Sequence, residues 1–210
     1  MFHPELQRTL SSIICDPIAL PADREVRIGS IAEWIREHFR HHRSLDLVFI
    51  CTHNSRRSQF AQVWASFAAS YHGLPIRCRS AGTEVTEVAL PVVDALEHAG
   101  FRIGIMEDHF NVDPRQVRYT VNWADDDRPV QLYSKMLDLS GEPKRHCAAI
   151  SVCSSAEQNC PIIPGIDRRF SLPYSDPKES DGMANEAITY RERSMEIARE
   201  MFKLMQLVSQ

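Results

Sequence analysis

The sequence predicts an α/β fold with a mostly parallel central sheet, and three observations carry that prediction. Short apolar runs alternate with longer stretches whose apolar residues recur every three or four positions. The run LDLVFI at residues 45–50 is apolar and partly β-branched, as expected of a strand buried on both faces. Cys51 closes that run, and a short loop then leads into a helical repeat, so strand, loop and helix follow one another.

The first element is an amphipathic helix over residues 21–42, where Val26, Ile28, Ile31, Trp34, Ile35 and Phe39 fall near helical spacing after Pro21. Residues 45–50 form the first strand. The repeat of Phe60, Val63, Trp64, Phe67, Ala68 and Tyr71 predicts a helix over 58–71, ended by Gly73. Residues 75–79 supply a short strand, and residues 90–99 a helix closed by Gly100. Two further strands, 117–123 and 129–136, flank the turn-like ADDDRP, and AAISVC at 148–153 is another apolar run with Cys153 at its end. Residues 183–208 read as a closing helix, its apolar face made by Ile188, Met195, Ile197, Ala198, Met201, Phe202 and Met205.

A chain of 210 residues with 43% hydrophobic content can bury one substantial core, and no linker or repeat divides it. Charged residues of both signs are interspersed and the net charge is only −4, so no nucleic-acid or polybasic membrane footprint is present. No apolar stretch reaches the roughly 18 residues of a membrane span, and the N-terminus lacks a signal pattern. A soluble, cytoplasmic protein with a small-molecule or protein substrate is expected. The cysteines at 15, 51, 78, 147, 153 and 160 form no disulfide framework and are expected to be mostly reduced thiols.

The loop Cys51-Thr52-His53-Asn54-Ser55-Arg56-Arg57-Ser58 places a thiol and a guanidinium six positions apart between strand and helix. Backbone N–H groups from Thr52 onward can converge on one concavity, and the helix N-terminus adds partial positive charge there. An oxyanion is the natural ligand. The same field is expected to lower the Cys51 pKa from about 8.5 towards roughly 3.5–7.5, giving a thiolate nucleophile. Arg57 can hold two equatorial oxygens bidentately, and Ser58 can donate to the sulfur. Asn54 is read as shaping the loop through its side chain. His53 and Arg56 either alter the pocket mouth or face solvent. Histidines such as His41 and His42 show no metal-ligand spacing, and no metal site is read from the sequence.

With these residues in view, VFICTHNSRRSQFAQ resembles the Cys-x5-Arg-Ser loop of the low-molecular-weight protein tyrosine phosphatase superfamily. Ser80-Ala81-Gly82-Thr83 is similar to the segment after that family's second strand, and Asp176-Pro177 to its late Asp-Pro. The resemblance implies a three-layer α/β sandwich with a phosphate-binding loop after the first strand, and a general-acid role for Asp176. It spans about residues 45–205, which makes residues 1–44 a helical extension packed on the core and 45–210 the α/β domain.

The segment from Cys153 to Cys160 and Pro161 looks like that of the thioredoxin-coupled arsenate reductases. What this implies is a relay. Cys51 attacks arsenate, Cys153 attacks the adduct and releases arsenite, and Cys160 then leaves a Cys153–Cys160 disulfide for thioredoxin. No bound cofactor is implied, and because Gln62 stands where the cation-binding reductases carry a carboxylate, no cation site is carried over. The alternative is a phosphatase acting through a Cys51 phosphoenzyme with Asp176 as general acid, although Lys178 and Glu179 after Pro177 offer no aromatic grip on a tyrosine ring. A third reading is a non-catalytic oxyanion or redox sensor.

Overall fold

The computed structural model describes residues 2–15, 19–106, 117–124, 129–136, 146–153 and 165–210. Elements run α1 (Pro4–Cys15), α2 (Ala22–His41), β1 (Leu45–Cys51), α3 (Arg57–Tyr71), β2 (Ile76–Gly82), α4 (Leu90–His98) and β3 (Arg102–Ile105). Then come β4 (Tyr119–Asn122), β5 (Val130–Leu132), β6 (Cys147–Ser151), β7 (Arg168–Ser171) and α5 (Glu186–Ser209).

A central sheet of four strands, in the order β2-β1-β6-β7, is parallel throughout and flanked by helices. Burial explains the composition of its middle strands. Every residue of β6 and all but Asp46 of β1 is buried, which only near-continuous apolar runs satisfy. Helix α3 packs on β1 and β2, and α5 crosses α3, α2 and α4. Phe67 is the aromatic hub of this packing, with ring centroids of Phe2, Phe101, Phe202 and Trp123 at 5.2, 5.6, 5.5 and 5.9 Å.

The expected strands at 117–123 and 129–136 are present as β4 and β5, but not in the central sheet. They pair antiparallel with each other and with β3 in a separate three-stranded sheet, and most of the turn between them lies outside the described residues. Strands β3 and β7 were not foreseen, because β3 is mostly exposed and RIGI and RRFS lack a clear apolar period. Strand β2 runs three residues beyond the expected end, through Ser80-Ala81-Gly82, and α5 begins three residues later than read.

Helix α1, over a stretch in which no element was singled out, buries Leu6, Leu10 and Ile13 in the same core as the sheet. Its docking depends on Gly100, whose φ is +99° and where an added Cβ would stand 2.3 Å from Leu6 N. Only glycine allows that backbone approach. No helix among the described residues is long and apolar enough to cross a membrane.

Candidate active site

At the C-terminal end of β1 the chain turns through residues 52–56 into α3. Strand β2 presses on this turn at Gly82, where a Cβ would lie 2.7 Å from Thr52 O and 2.9 Å from Asn54 N. A side chain there would displace the loop, since both obstacles are backbone. Asn54 turns the corner with φ +47°, in the left-handed region that Asn tolerates better than most residues. It is fully buried, and every polar group of its side chain has work: Oδ1 accepts from Lys135 N–H at 3.0 Å and Nδ2 donates to Ser58 Oγ at 2.8 Å.

The loop's carbonyls are bound to the surrounding chain. Thr52 O accepts from Glu84 N–H at 2.9 Å, His53 O from Ser134 Oγ at 2.9 Å, Asn54 O from Gln59 Nε2 at 2.7 Å, and Ser55 O from Ala89 N–H at 3.2 Å. Its amides are not: among the described residues no backbone carbonyl accepts from the N–H groups of His53 through Ser58. Successive uncommitted N–H groups at a helix N-terminus form an anion nest.

Cys51 is buried beside it, with Sγ 3.0 Å from Ser58 Oγ. Because Asn54 donates to that hydroxyl oxygen, the Ser58 hydrogen is free to point at sulfur, where it stabilises negative charge. Arg57 donates to Tyr174 O at 3.0 Å and to Asp176 Oδ2 at 2.5 Å, while its buried Nε has no hydrogen-bond partner among the described residues. Asp176 also fills the ordinary role of an Asp before Pro, its Oδ1 accepting from Lys178 N–H at 3.2 Å.

Cys153, two residues past the end of β6, the strand that pairs with β1, is a buried cysteine whose Sγ lies 3.8 Å from Thr52 Oγ1. Parallel neighbours thus bring two cysteines far apart in sequence to one loop. Cys160 and the segment expected to carry it lie outside the described residues. The remaining described thiols include Cys78, which burial pushes up to about 12, an inert core residue.

Arg56, grouped with the loop residues from sequence, neither lines its mouth nor faces solvent. Its Nε donates to Tyr190 Oη at 2.6 Å and its Nη2 to Asp181 Oδ2 at 2.7 Å, and Tyr190 donates to Asp181 Oδ1 at 2.6 Å. Burial, reinforced by the Asp181 carboxylate, raises the Tyr190 hydroxyl well above the usual phenol range, so it stays a donor. His53 faces outward, its Nε2 3.4 Å from Glu84 Oε2.

Two supporting networks escaped sequence reasoning. Arg24 of α2 makes a bidentate pair with Glu200 of α5, at 2.8 and 2.5 Å, and donates to Pro173 O at 2.7 Å, while Tyr174 donates to Glu200 Oε2 at 2.7 Å. This fixes the segment whose Tyr174 carbonyl holds Arg57. The signal was available: Glu200 interrupts the apolar face of α5 and is buried. On the other flank Lys135 Nζ donates to Ser80 Oγ at 3.1 Å and lies 4.3 Å from the Tyr133 ring, and Ser80 donates to Gln62 Oε1 at 2.5 Å. Burial, with Arg79 and Arg118 nearby, lowers Lys135 to about 8.

This chain has the fold of the low-molecular-weight protein tyrosine phosphatases. A YwlE mutant from Bacillus subtilis superposes with a TM-score of 0.51 at 17% identity, covering 80% of this chain and 100% of that one. A low-molecular-weight phosphotyrosine phosphatase from Vibrio cholerae O395 gives 0.52 at 15% identity, covering 78% and 95%, and a protein tyrosine phosphatase from Entamoeba histolytica gives 0.50 at 16%, covering 78% and 94%. No family model and no curated protein matches the sequence.

Proposed function

We propose that the chain is a Cys51-dependent arsenate reductase regenerated by thioredoxin. The observation that carries this reading is the buried Cys153 thiol at the lip of the Cys51 loop, 3.8 Å from the side chain of Thr52. A phosphatase has no chemical need of a second thiol there. Cys51 thiolate attacks As(V) and displaces an oxygen ligand as water, with the oxyanion held by the loop amides and Arg57. Cys153 thiolate then attacks the Cys51 sulfur, and arsenic departs with the electron pair of the S–As bond as As(III). Cys160 attacks Cys153, returning Cys51 as thiolate. Thioredoxin supplies the two electrons that reopen the Cys153–Cys160 disulfide.

A second reading, phosphate-ester hydrolysis through a Cys51 phosphoenzyme, is favoured by Asp176, which lies on the guanidinium of Arg57 and so borders the loop. In that chemistry Asp176 protonates the leaving group and later activates water.

The two readings separate in one experiment: NADPH oxidation coupled to thioredoxin and its reductase with arsenate, beside p-nitrophenyl phosphate hydrolysis, for wild type and Cys153→Ser. Arsenate turnover is expected in wild type and lost in the variant, with hydrolysis changed by no more than a few-fold. If the variant still reduces arsenate, or wild type only hydrolyses the ester, the reductase reading gives way to the phosphatase.

A further inference from the structure

The central strands carry a second cluster of chemistry-bearing side chains at their N-terminal end. We propose that His38, His42 and His146 bind a divalent transition-metal ion, Zn²⁺, at the end of the parallel sheet opposite Cys51. Each residue offers one ring nitrogen, and these atoms lie within 4.8 Å of one another. The ring centroids are 3.9 Å apart for His42 and His146, 4.5 Å for His38 and His42, and 5.4 Å for His38 and His146. A tetrahedral zinc ion at ~2.0–2.1 Å from each nitrogen holds them about 3.3 Å apart, so binding draws the rings inward by roughly an ångström.

The backbone assembles these rings from separate places. His38 lies in the last turn of α2, His42 is its extended C-cap, and His146 stands immediately before β6 with φ +66°. A non-glycine residue in that left-handed region bears a conformational cost, which a ligand role for the ring would explain. His38 Nε2 lies 3.2 Å from Ser44 O, a contact that fixes the orientation of the ring. Metal-bound imidazoles are oriented by such contacts.

Charges of both signs meet at this end. Desolvation and the neighbouring His146, His38 and His41 hold His42 below the usual imidazole range, and the Asp167 carboxylate, which accepts from Cys147 N–H at 3.1 Å, opposes them. The C-terminal end of α2 adds partial negative charge. Three converging imidazole nitrogens suit zinc over calcium or magnesium.

The test uses the untagged full-length chain, stripped with chelator and desalted, then titrated with Zn²⁺ by calorimetry and melted with and without the ion. One equivalent is expected at a micromolar or lower Kd, with a rise in Tm of about 5 °C or more at saturation. His42→Ala with His146→Asn, the Asn chosen to keep the left-handed backbone, should weaken binding by ~100-fold and remove the Tm rise. His42→Ala alone, at an exposed position, serves if the double variant melts abnormally. Co²⁺ loaded at one equivalent should give visible ligand-field bands without the near-ultraviolet charge transfer of a thiolate. Absence of saturable zinc binding, zinc binding undiminished in the folded histidine variant, or a cobalt–thiolate band would overturn the site.

Discussion

The strands β1 and β6 run side by side between two unlike ends. At their C-terminal ends they deliver Cys51 and Cys153 to a loop whose amides meet no backbone carbonyl among the described residues and which is capped by the N-terminus of α3, a place for an anion. At their N-terminal ends they begin just after His42 and His146, beside the C-terminus of α2, a place for a cation. The difference lies in what builds each end. The anion end is made mostly of backbone, stiffened by the Arg24–Glu200–Tyr174 and Asn54–Lys135 contacts, whereas the ligands of the cation end are all side chains. A backbone site tolerates little change in the loop, and a side-chain site can be erased without disturbing the fold.

The comparison is sharpest at Cys51. Cys51→Ser is expected to lower both arsenate reduction and p-nitrophenyl phosphate hydrolysis by about 10⁴-fold or more, since the hydroxyl is not ionised as a thiolate is. Steady-state rates at saturating substrate measure this, and appreciable turnover would remove the nucleophile assignment. Arg57→Lys comes next, with a loss of roughly 10²–10³-fold in kcat and an unchanged far-ultraviolet spectrum, because a point charge cannot replace the planar fork. Near-wild-type kinetics would place Arg57 outside the chemistry.

The smallest effect concerns the half-buried cation that props the anion end. Lys135 is lowered to about 8 in the folded chain, while the unfolded chain keeps the proton to near 10.4, so between those values the unfolded state binds more protons. Stability attributable to Lys135 therefore rises with pH from about 8 to 10, and the full penalty of burying the ammonium remains below 8. Urea unfolding across this range should show wild type gaining on Lys135→Met by of order 1–3 kcal/mol. Parallel profiles would mean that Lys135 titrates normally.

Local signals made the anion end legible. LDLVFI, the Cys-x5-Arg spacing and the helical repeat after it are contiguous, so one stretch specified strand, loop, helix and the placing of Cys51, Arg57 and Ser58. Cys153 reached the loop because β6 pairs with β1, and only its resemblance-bearing neighbours had hinted at that. What stayed hidden was non-local. Arg56 and Arg57 are adjacent and chemically identical, and nothing near them tells that one meets Asp181 and Tyr190 while the other meets Asp176. The two strands around ADDDRP were legible, but not the separate antiparallel sheet they enter, because apolar alternation in YTVN and VQL specifies a strand and not its partner. His146 lies too far along the chain from His38 and His42 for spacing to connect them.

The contact between Arg57 and Asp176 sets a thermodynamic toll on the loop. An oxyanion that engages the same guanidinium nitrogens must first displace a carboxylate already held there, so its observed affinity is the intrinsic one multiplied by the fraction of molecules in which that contact is open. Weak ambient anions, phosphate included, meet this competition on every encounter. A reacting substrate recovers the loss only as charge grows on its oxygens in the transition state, so the pairing acts as a filter that discriminates against passive binding and leaves reaction less affected.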